Sequence, residues 1–406
     1  MIRDPFASWA ELGETLESYE AKRPGLVTFL EEGNKYWGNT LLPLMRSGHM
    51  KHMIDGTYVY PSRVGLFPGL SCMFYCDFCG RNKSAAYDRK AVDHGIAVYK
   101  SILADAPKDK GWENRFRISG GQEPLTNPRI GELVQYGSGL GYKLGMYTNG
   151  YMLTPQFLNK QPGLTELDYL RFSMYGYNAV SYEVTTKKNA WATVRKNLIH
   201  FINTTEVKVG LSWIVLPGKA HDFLDFMLEI KDMMPSLRRT IDFISVREDF
   251  SQNSVYINHA ERESFMAVVR TIGMMQKTYF PDIKIDYGYQ LDQLQRGYTN
   301  GPLFMAKANQ LDGKGLPQAS VQVDTLGNVY AYHGSAFIDR PGSDKFIIGN
   351  AENGIDAVVK DHLTSDSRIK YIPSDVEMLD AYDHAISLAV WRARKEPHNP
   401  VWTTLV

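Results

Sequence analysis

The stretch Gly69-Leu-Ser-Cys72-Met-Phe-Tyr-Cys76-Asp-Phe-Cys79-Gly80 decides how the rest of this 406-residue chain is read. It holds all 3 cysteines of the sequence, so nothing is left over for a disulfide framework. Three and then two residues separate them, and the segment follows an apolar run, Arg63–Pro68, that reads as a strand. A loop with this spacing can set three thiolates around one metal centre. Structural zinc ordinarily takes four protein ligands. No fourth Cys exists and no His lies nearby, so zinc would need a distant ligand; three plain core cysteines are the other bland reading. A cuboidal iron–sulfur cluster normally takes four Cys. Three would leave one iron open to a substrate.

Working outward, residues from about 61 to 285 alternate short β-branched runs with longer amphipathic stretches. The expected strands are Arg63–Pro68, Asn114–Ser119, Lys143–Thr148, Tyr169–Ser173, Lys208–Leu216 and Thr240–Val246. AVDHGIAVYKSIL, PRIGELVQYGSG, AWATVRKNLIHFIN and DFLDFMLEIKDMM read as helices between them. Six βα units in series imply an α/β fold with a parallel sheet and helices outside, either an open sheet or part of a barrel. Residues 1–60 read as a helical extension, from AELGETLESYEAK and GLVTFLEEGNKYW. Residues 286–406 change character, with a hairpin at SVQVDTLGNVYAY, then KFIIGN, then the helix AYDHAISLAVWRAR.

Lys plus Arg number 45, as do Asp plus Glu, which gives no electrostatic reason to expect nucleic acid or a membrane as partner. Met1 to Glu11 lacks the apolar core of a signal peptide, and no run approaches the ~20 apolar residues of a membrane span, so the expected location is the cytoplasm. The 24 Tyr can line a polar pocket or be scattered through the structure.

Cys-x3-Cys-x2-Cys after the first strand of a βα series resembles the radical S-adenosylmethionine superfamily, over roughly residues 61–285. The resemblance implies a partial (β/α)6 barrel of the TIM type. It also implies one [4Fe–4S] cluster on Cys72, Cys76 and Cys79, with S-adenosylmethionine on the open iron and Phe78 near the adenine. Ser119-Gly120-Gly121-Gln122-Glu123-Pro124 is similar to the family's GGEP element. There Gly120 and Gly121 would let backbone approach the ligand, and Glu123 would pair with the methionine ammonium. Gln122 departs from the pattern. Tyr147-Thr148-Asn149-Gly150 matches the family's TNG at the end of the third strand, and is equally readable as a turn shaping the rim. Ser173 would reach the ribose, or simply fit the barrel mouth. Ser212, Trp213 and residues Ser245 to Glu248 would also face the mouth.

Asp324-Thr-Leu-Gly327-Asn328-Val329-Tyr330-Ala-Tyr332-His333 is similar to the start of the SPASM or twitch extension of that family, with Tyr332 where the first cluster Cys would stand. The reading is a twitch-like α+β region without an auxiliary cluster; an unrelated hairpin is the alternative. His333 would face the substrate, or be an ordinary surface or core residue.

The resemblance implies formation of a 5′-deoxyadenosyl radical that abstracts hydrogen from the substrate, with a flavodoxin or ferredoxin as electron donor. The ~60 residues before the barrel leave no room for a cobalamin domain, and no cysteines remain for auxiliary-cluster oxidation. A redox-neutral elimination needs neither. The expectation is therefore an enzyme similar to the radical dehydratases and deaminases of deoxysugar and aminoglycoside antibiotic pathways, a carbon–oxygen or carbon–nitrogen lyase whose product a pathway reductase can take up. Glu248, Asp249, Asp286, Tyr287 and His333 are the candidate acid–base residues. The alternatives are a radical sugar decarboxylase, epimerase or dehydrogenase, a peptide-modifying radical enzyme, and a non-enzymatic iron–sulfur protein.

Overall fold

The computed structural model describes residues 40–81, 84–248, 259–288, 291 and 306–395. The strands are β1 (Arg63–Phe67), β2 (Phe116–Ile118), β3 (Gly145–Thr148), β4 (Tyr169–Ser173), β5 (Lys208–Val215), β6 (Phe243–Glu248), β7 (Lys284–Tyr287), β8 (Ser320–Asp324), β9 (Asn328–Tyr330) and β10 (Ile347–Asn350). They form one sheet in the order β10-β9-β8-β1-β2-β3-β4-β5-β6-β7. The helices are α1 (Leu42–Arg46), α2 (His49–Asp55), α3 (Ala91–Asp105), α4 (Ile130–Gly139), α5 (Pro155–Lys160), α6 (Ala179–Thr186), α7 (Trp191–Thr204), α8 (Asp222–Met233), α9 (His259–Tyr279), α10 (Ile355–Thr364) and α11 (Ala381–Lys395).

From β1 to β7 each strand pairs in parallel with the next in sequence. Right-handed crossovers that all step the same way put their helices on one face. The register shows which face. Leu66, Ile118, Met146, Leu170 and Val209 stand side by side across five strands, all fully buried in one core with Ile96, Leu133, Leu198 and Phe226 from the helices. Each such side chain contributes roughly 1.5–3 kcal/mol by leaving water. The alternate residues therefore point to the other, inner face.

The hairpin expected near residue 326 forms as β8 and β9. Asp324 explains its sequence. Its carboxylate accepts from the backbone N–H of Leu326 and Asn328 (both 2.9 Å), from the Asn328 amide (3.0 Å) and from the Tyr330 hydroxyl (3.1 Å). β8 lies parallel to β1, with Asp324 opposite Phe67, so the hairpin extends the core sheet. β7 straddles residue 285, where the composition changes. Helices expected at residues 10–22 and 25–37 lie outside the described residues. α1 and α2 do form, and bury Leu44, Met50 and Met53 against Ile386, Ala389 and Val390 of α11. Among the described residues no helix is long and apolar enough to cross a membrane.

Candidate active site

The cysteine loop and the glycine-rich turn after β2 are laced together by hydrogen bonds that each use the backbone of the cysteine loop. Glu123 N–H donates to the Ser71 carbonyl (2.9 Å), Leu70 N–H to the Thr126 hydroxyl (2.8 Å), and the Asn127 amide to the Pro68 carbonyl (3.0 Å). A Cβ at Gly69 would come within 2.7 Å of Glu123 O, so the closeness depends on glycine there. The Gln122 amide turns away from the glycines and donates to the Ala85 carbonyl (2.8 Å). Its Oε1 is buried with no partner among the described residues.

Cys76 is buried, and Cys72 and Cys79 are half-buried. Burial and the neighbouring thiols Cys79 and Cys72 push the Cys76 thiol up to about 12. Burial and the Glu123 carboxylate push Cys72 up to about 11. Cys76 thus feels the charge of both other thiols, and a cationic centre that binds the loop must draw off its protons. Among the described residues no three His, Cys, Asp or Glu side chains are gathered as a one-ion site. An iron–sulfur cluster makes a different demand, because each thiolate takes its own iron. Three thiols on one loop, with the Asn149 amide 3.8 Å from the Cys72 sulfur as a donor, fit that group.

Glu123 is buried and pushed up to about 7 by desolvation, against the pull of its donors Asn149, Thr148 and Leu125. Those donors are the Asn149 N–H (2.8 Å), the Thr148 hydroxyl (2.5 Å) and the Leu125 N–H (3.1 Å). Glu123 therefore ties the GGQEP turn to the TNG turn, with one acceptor direction left on the carboxylate. Gly150 completes that turn at φ +70°, where the Phe172 ring occupies the place of a Cβ. Asn197 holds it from α7 by donating to the Gly150 and Tyr151 carbonyls (2.9 and 3.0 Å).

Phe78 meets the Tyr175 ring edge-on at 4.8 Å, beside the end of β4. Ser173, Ser212, Ser245 and Asp286 stand in one row across β4 to β7, on the inner face. Ser245 Oγ is buried and unpartnered among the described residues. A small, shallow cleft opens nearby, lined by Tyr175, Trp213, Ile214, Lys219 and Asp222.

Of the acid–base candidates among the described residues, Asp286 and Tyr287 lie on opposite faces of the sheet. Asp286 faces inward and holds Arg247 at 3.3 Å. Tyr287, next in sequence, falls on the helix-packed face beside Val246 and between the Phe223 and Phe265 rings, so strand alternation separates it from Asp286. Glu248 ends β6, and Asp249 lies outside the described residues. His333 sits edge-on to Phe67 (5.4 Å) and Phe337 (6.1 Å). Burial lowers its pKa, and Arg171, Arg117 and Arg340 lower it further against Asp380, which holds the imidazole toward its neutral form. Phe337 crosses to the cysteine loop: a Cβ at Gly121 would lie 2.4 Å from its ring, and one at Gly80 3.3 Å.

No known protein-family profile matches the chain. A curated protein of Streptomyces venezuelae, dTDP-4-amino-4,6-dideoxy-D-glucose ammonia-lyase, is 35% identical over 378 residues, covering 90% of this chain and 77% of that one. Among solved structures, Streptococcus suis SuiB bound to its precursor peptide SuiA aligns at TM-score 0.49 and 12% identity over 82% of this chain and 79% of its own. anSMEcpe with bound AdoMet aligns at 0.48 and 12%, over 81% and 84%.

Proposed function

This chain belongs to the radical S-adenosylmethionine superfamily, and we propose that it eliminates ammonia from a nucleotide-linked amino deoxysugar on a route to an antibiotic. The observation that carries this reading is the 35% identity to an amino-sugar ammonia-lyase across most of both chains. The cysteine loop and the two turns bound to it are the parts such chemistry requires.

Cys72, Cys76 and Cys79 would hold the [4Fe–4S] cluster. When bound, cluster and S-adenosylmethionine together supply a carbon radical able to take hydrogen from an unactivated carbon, the protein contributing orientation and shielding. Gly120 and Gly121 bring backbone N–H and C=O groups up to the ligand. Glu123 offers its remaining acceptor direction to the methionine ammonium while fixing Asn149 beside Cys72. Phe78, with Tyr175 behind it, presents a ring to the adenine, and Ser173 a hydroxyl to the ribose.

On the substrate, loss of hydrogen from a hydroxyl-bearing carbon makes that hydroxyl far more acidic. A side chain that takes the proton lets ammonia leave the neighbouring carbon. On the inner face, Asp286 and the neutral His333 can accept it. The resulting keto-sugar radical then takes one electron from a flavodoxin or ferredoxin and one proton, giving a keto deoxysugar for a pathway reductase. The region from 286 onward serves as a twitch-like wall with no cluster of its own, Phe337 and His333 closing it on the cysteine loop.

Anaerobic incubation of the reduced holoenzyme with dTDP-4-amino-4,6-dideoxyglucose and with a panel of aminoglycosides tests this. Mass spectrometry should show ammonia lost from the nucleotide sugar. An inert panel, alongside oxidation or cross-linking of a small peptide, would overturn it.

A further inference from the structure

Around the serine row the inner face turns basic. Arg117 of β2 and Arg171 of β4 lie below the row, and Arg247 of β6 lies two residues beyond Ser245 toward the strand end, all three on the inner side of their strands. Glycines clear the floor between them. A Cβ at Gly145 would meet the Tyr169 ring at 2.0 Å, and one at Gly210 the Phe243 ring at 2.1 Å, so these rings lie over the sheet itself. The Arg171 guanidinium stacks 3.4 Å over the Tyr147 ring, which lies 6.3 Å from that of Tyr169. Arg117 is exposed and the other two arginines are half-buried.

Their charges converge. Burial would raise the Tyr147 hydroxyl, yet Arg171, Arg117, a Tyr169 hydrogen bond and Arg247 together hold it below the ordinary tyrosine range. Asp286, paired to Arg247, is the one acidic residue facing inward from β1–β7 among the described residues. Lys208 and Lys284 occupy the same face in the rows nearer the strand starts.

We propose that Arg117, Arg171 and Arg247 seat the diphosphate of the nucleotide-linked sugar, an inference that rests on the ammonia-lyase reading above. Guanidinium forks match phosphate oxygens two at a time, and the aromatic floor offers rings to stack on. Arg171 lies two residues below Ser173, ~7 Å along the strand, so a sugar attached to the seated diphosphate reaches the serine row, Asp286 and the strand ends where the cysteine loop lies. The same charges repel a polycationic aminoglycoside, which selects between the two sugar classes compatible with elimination chemistry.

Equilibrium binding of thymidine 5′-diphosphate and of thymidine to the reconstituted anaerobic holoenzyme tests the seat. The diphosphate should bind far more tightly than thymidine. Arg171→Gln should weaken the diphosphate roughly ten- to hundredfold with thymidine unchanged, and Arg171→Lys should restore part of the loss. Arg117→Gln, at an exposed position that folding tolerates, should shift it in the same direction. Equal diphosphate affinity in wild type and both Gln variants, with the dTDP-linked amino sugar still turned over, overturns the seat and leaves the ammonia-lyase reading intact. A wild-type holoenzyme that binds the diphosphate no better than thymidine and deaminates an aminoglycoside instead overturns both.

Discussion

Two loops leave strands of the same sheet two positions apart, and they are built for opposite ends. The loop after β1 carries Cys72, Cys76 and Cys79, is held by backbone hydrogen bonds to its neighbour, and keeps sulfur and amide groups turned toward one another. The turn after β9 carries Tyr332, and there the surroundings are a small aromatic core. Tyr332 packs on Phe346 at 5.6 Å, its hydroxyl lies 2.7 Å from that of Tyr371, and Tyr371 donates to the Asp312 carbonyl (2.8 Å). Reactivity needs polar groups held in place without filling the space between them. Packing needs that space filled. The two loops touch through Phe337, so the packed one serves as a wall for the reactive one.

The sharpest way to break this contrast is to remove a thiol. Cys76→Ala should abolish cluster assembly and reductive cleavage of S-adenosylmethionine, since two thiolates do not hold a four-iron cluster. Iron and sulfide assay should find about one cluster per wild-type chain and none in the variant, and chromatography should find no 5′-deoxyadenosine. Cleavage at the wild-type rate would mean that the reactive metal lies elsewhere.

Much of the reactive side was legible in the sequence because its parts are contiguous. Cys-x3-Cys-x2-Cys, GGQEP and TNG each end a strand, and the six expected strands all form, with ends shifted by at most a few residues. β7 was not expected: Lys284-Ile-Asp-Tyr is too short to show a period, and it becomes a strand by pairing with β6. The threefold engagement of Glu123 was also invisible, because two of its three partners, Thr148 and Asn149, come from a loop about 25 residues away. The inner arginines did leave a trace. Phe-Arg-Ile in β2 and Leu-Arg-Phe in β4 each put a charge between two buried apolar residues, which in a strand with one helix-covered face must point to the other.

On the packed side, Tyr332→Ala should cost ~3–5 kcal/mol, the range for emptying a buried aromatic site, while iron content stays at the wild-type level. Tyr332→Phe keeps the ring and should cost only ~1 kcal/mol for the lost hydrogen bond. Chemical denaturation alongside iron assay separates the two readouts. A drop in iron without a drop in stability would show that this turn takes part in holding metal, and the contrast between the loops would fail.

The smallest expected effect concerns Glu123, where the two designs meet, since a charged group sits in a site as dry as the packed core. In cluster-free protein its folded value of about 7 lies above the ordinary 4.5, because burial outweighs its three donors. The folded state therefore keeps a proton that the unfolded chain has already released. The contribution to stability is complete below pH 4.5 and is lost as pH rises through about 7. The shift corresponds to ~3 kcal/mol at most. Glu123→Gln cannot ionise, so the difference between the wild-type and variant stability curves should change across this window and be flat on either side of it. Gln also turns an amide donor toward either the Asn149 N–H or the donors on the other oxygen, which sets the variant's own level without giving it a pH dependence. Urea denaturation from pH 4 to 8 gives the two curves. Parallel curves would mean that the donors already hold Glu123 ionised in the folded state. The carboxylate would then stand ready for the methionine ammonium before it arrives, rather than being drawn into ionisation by it.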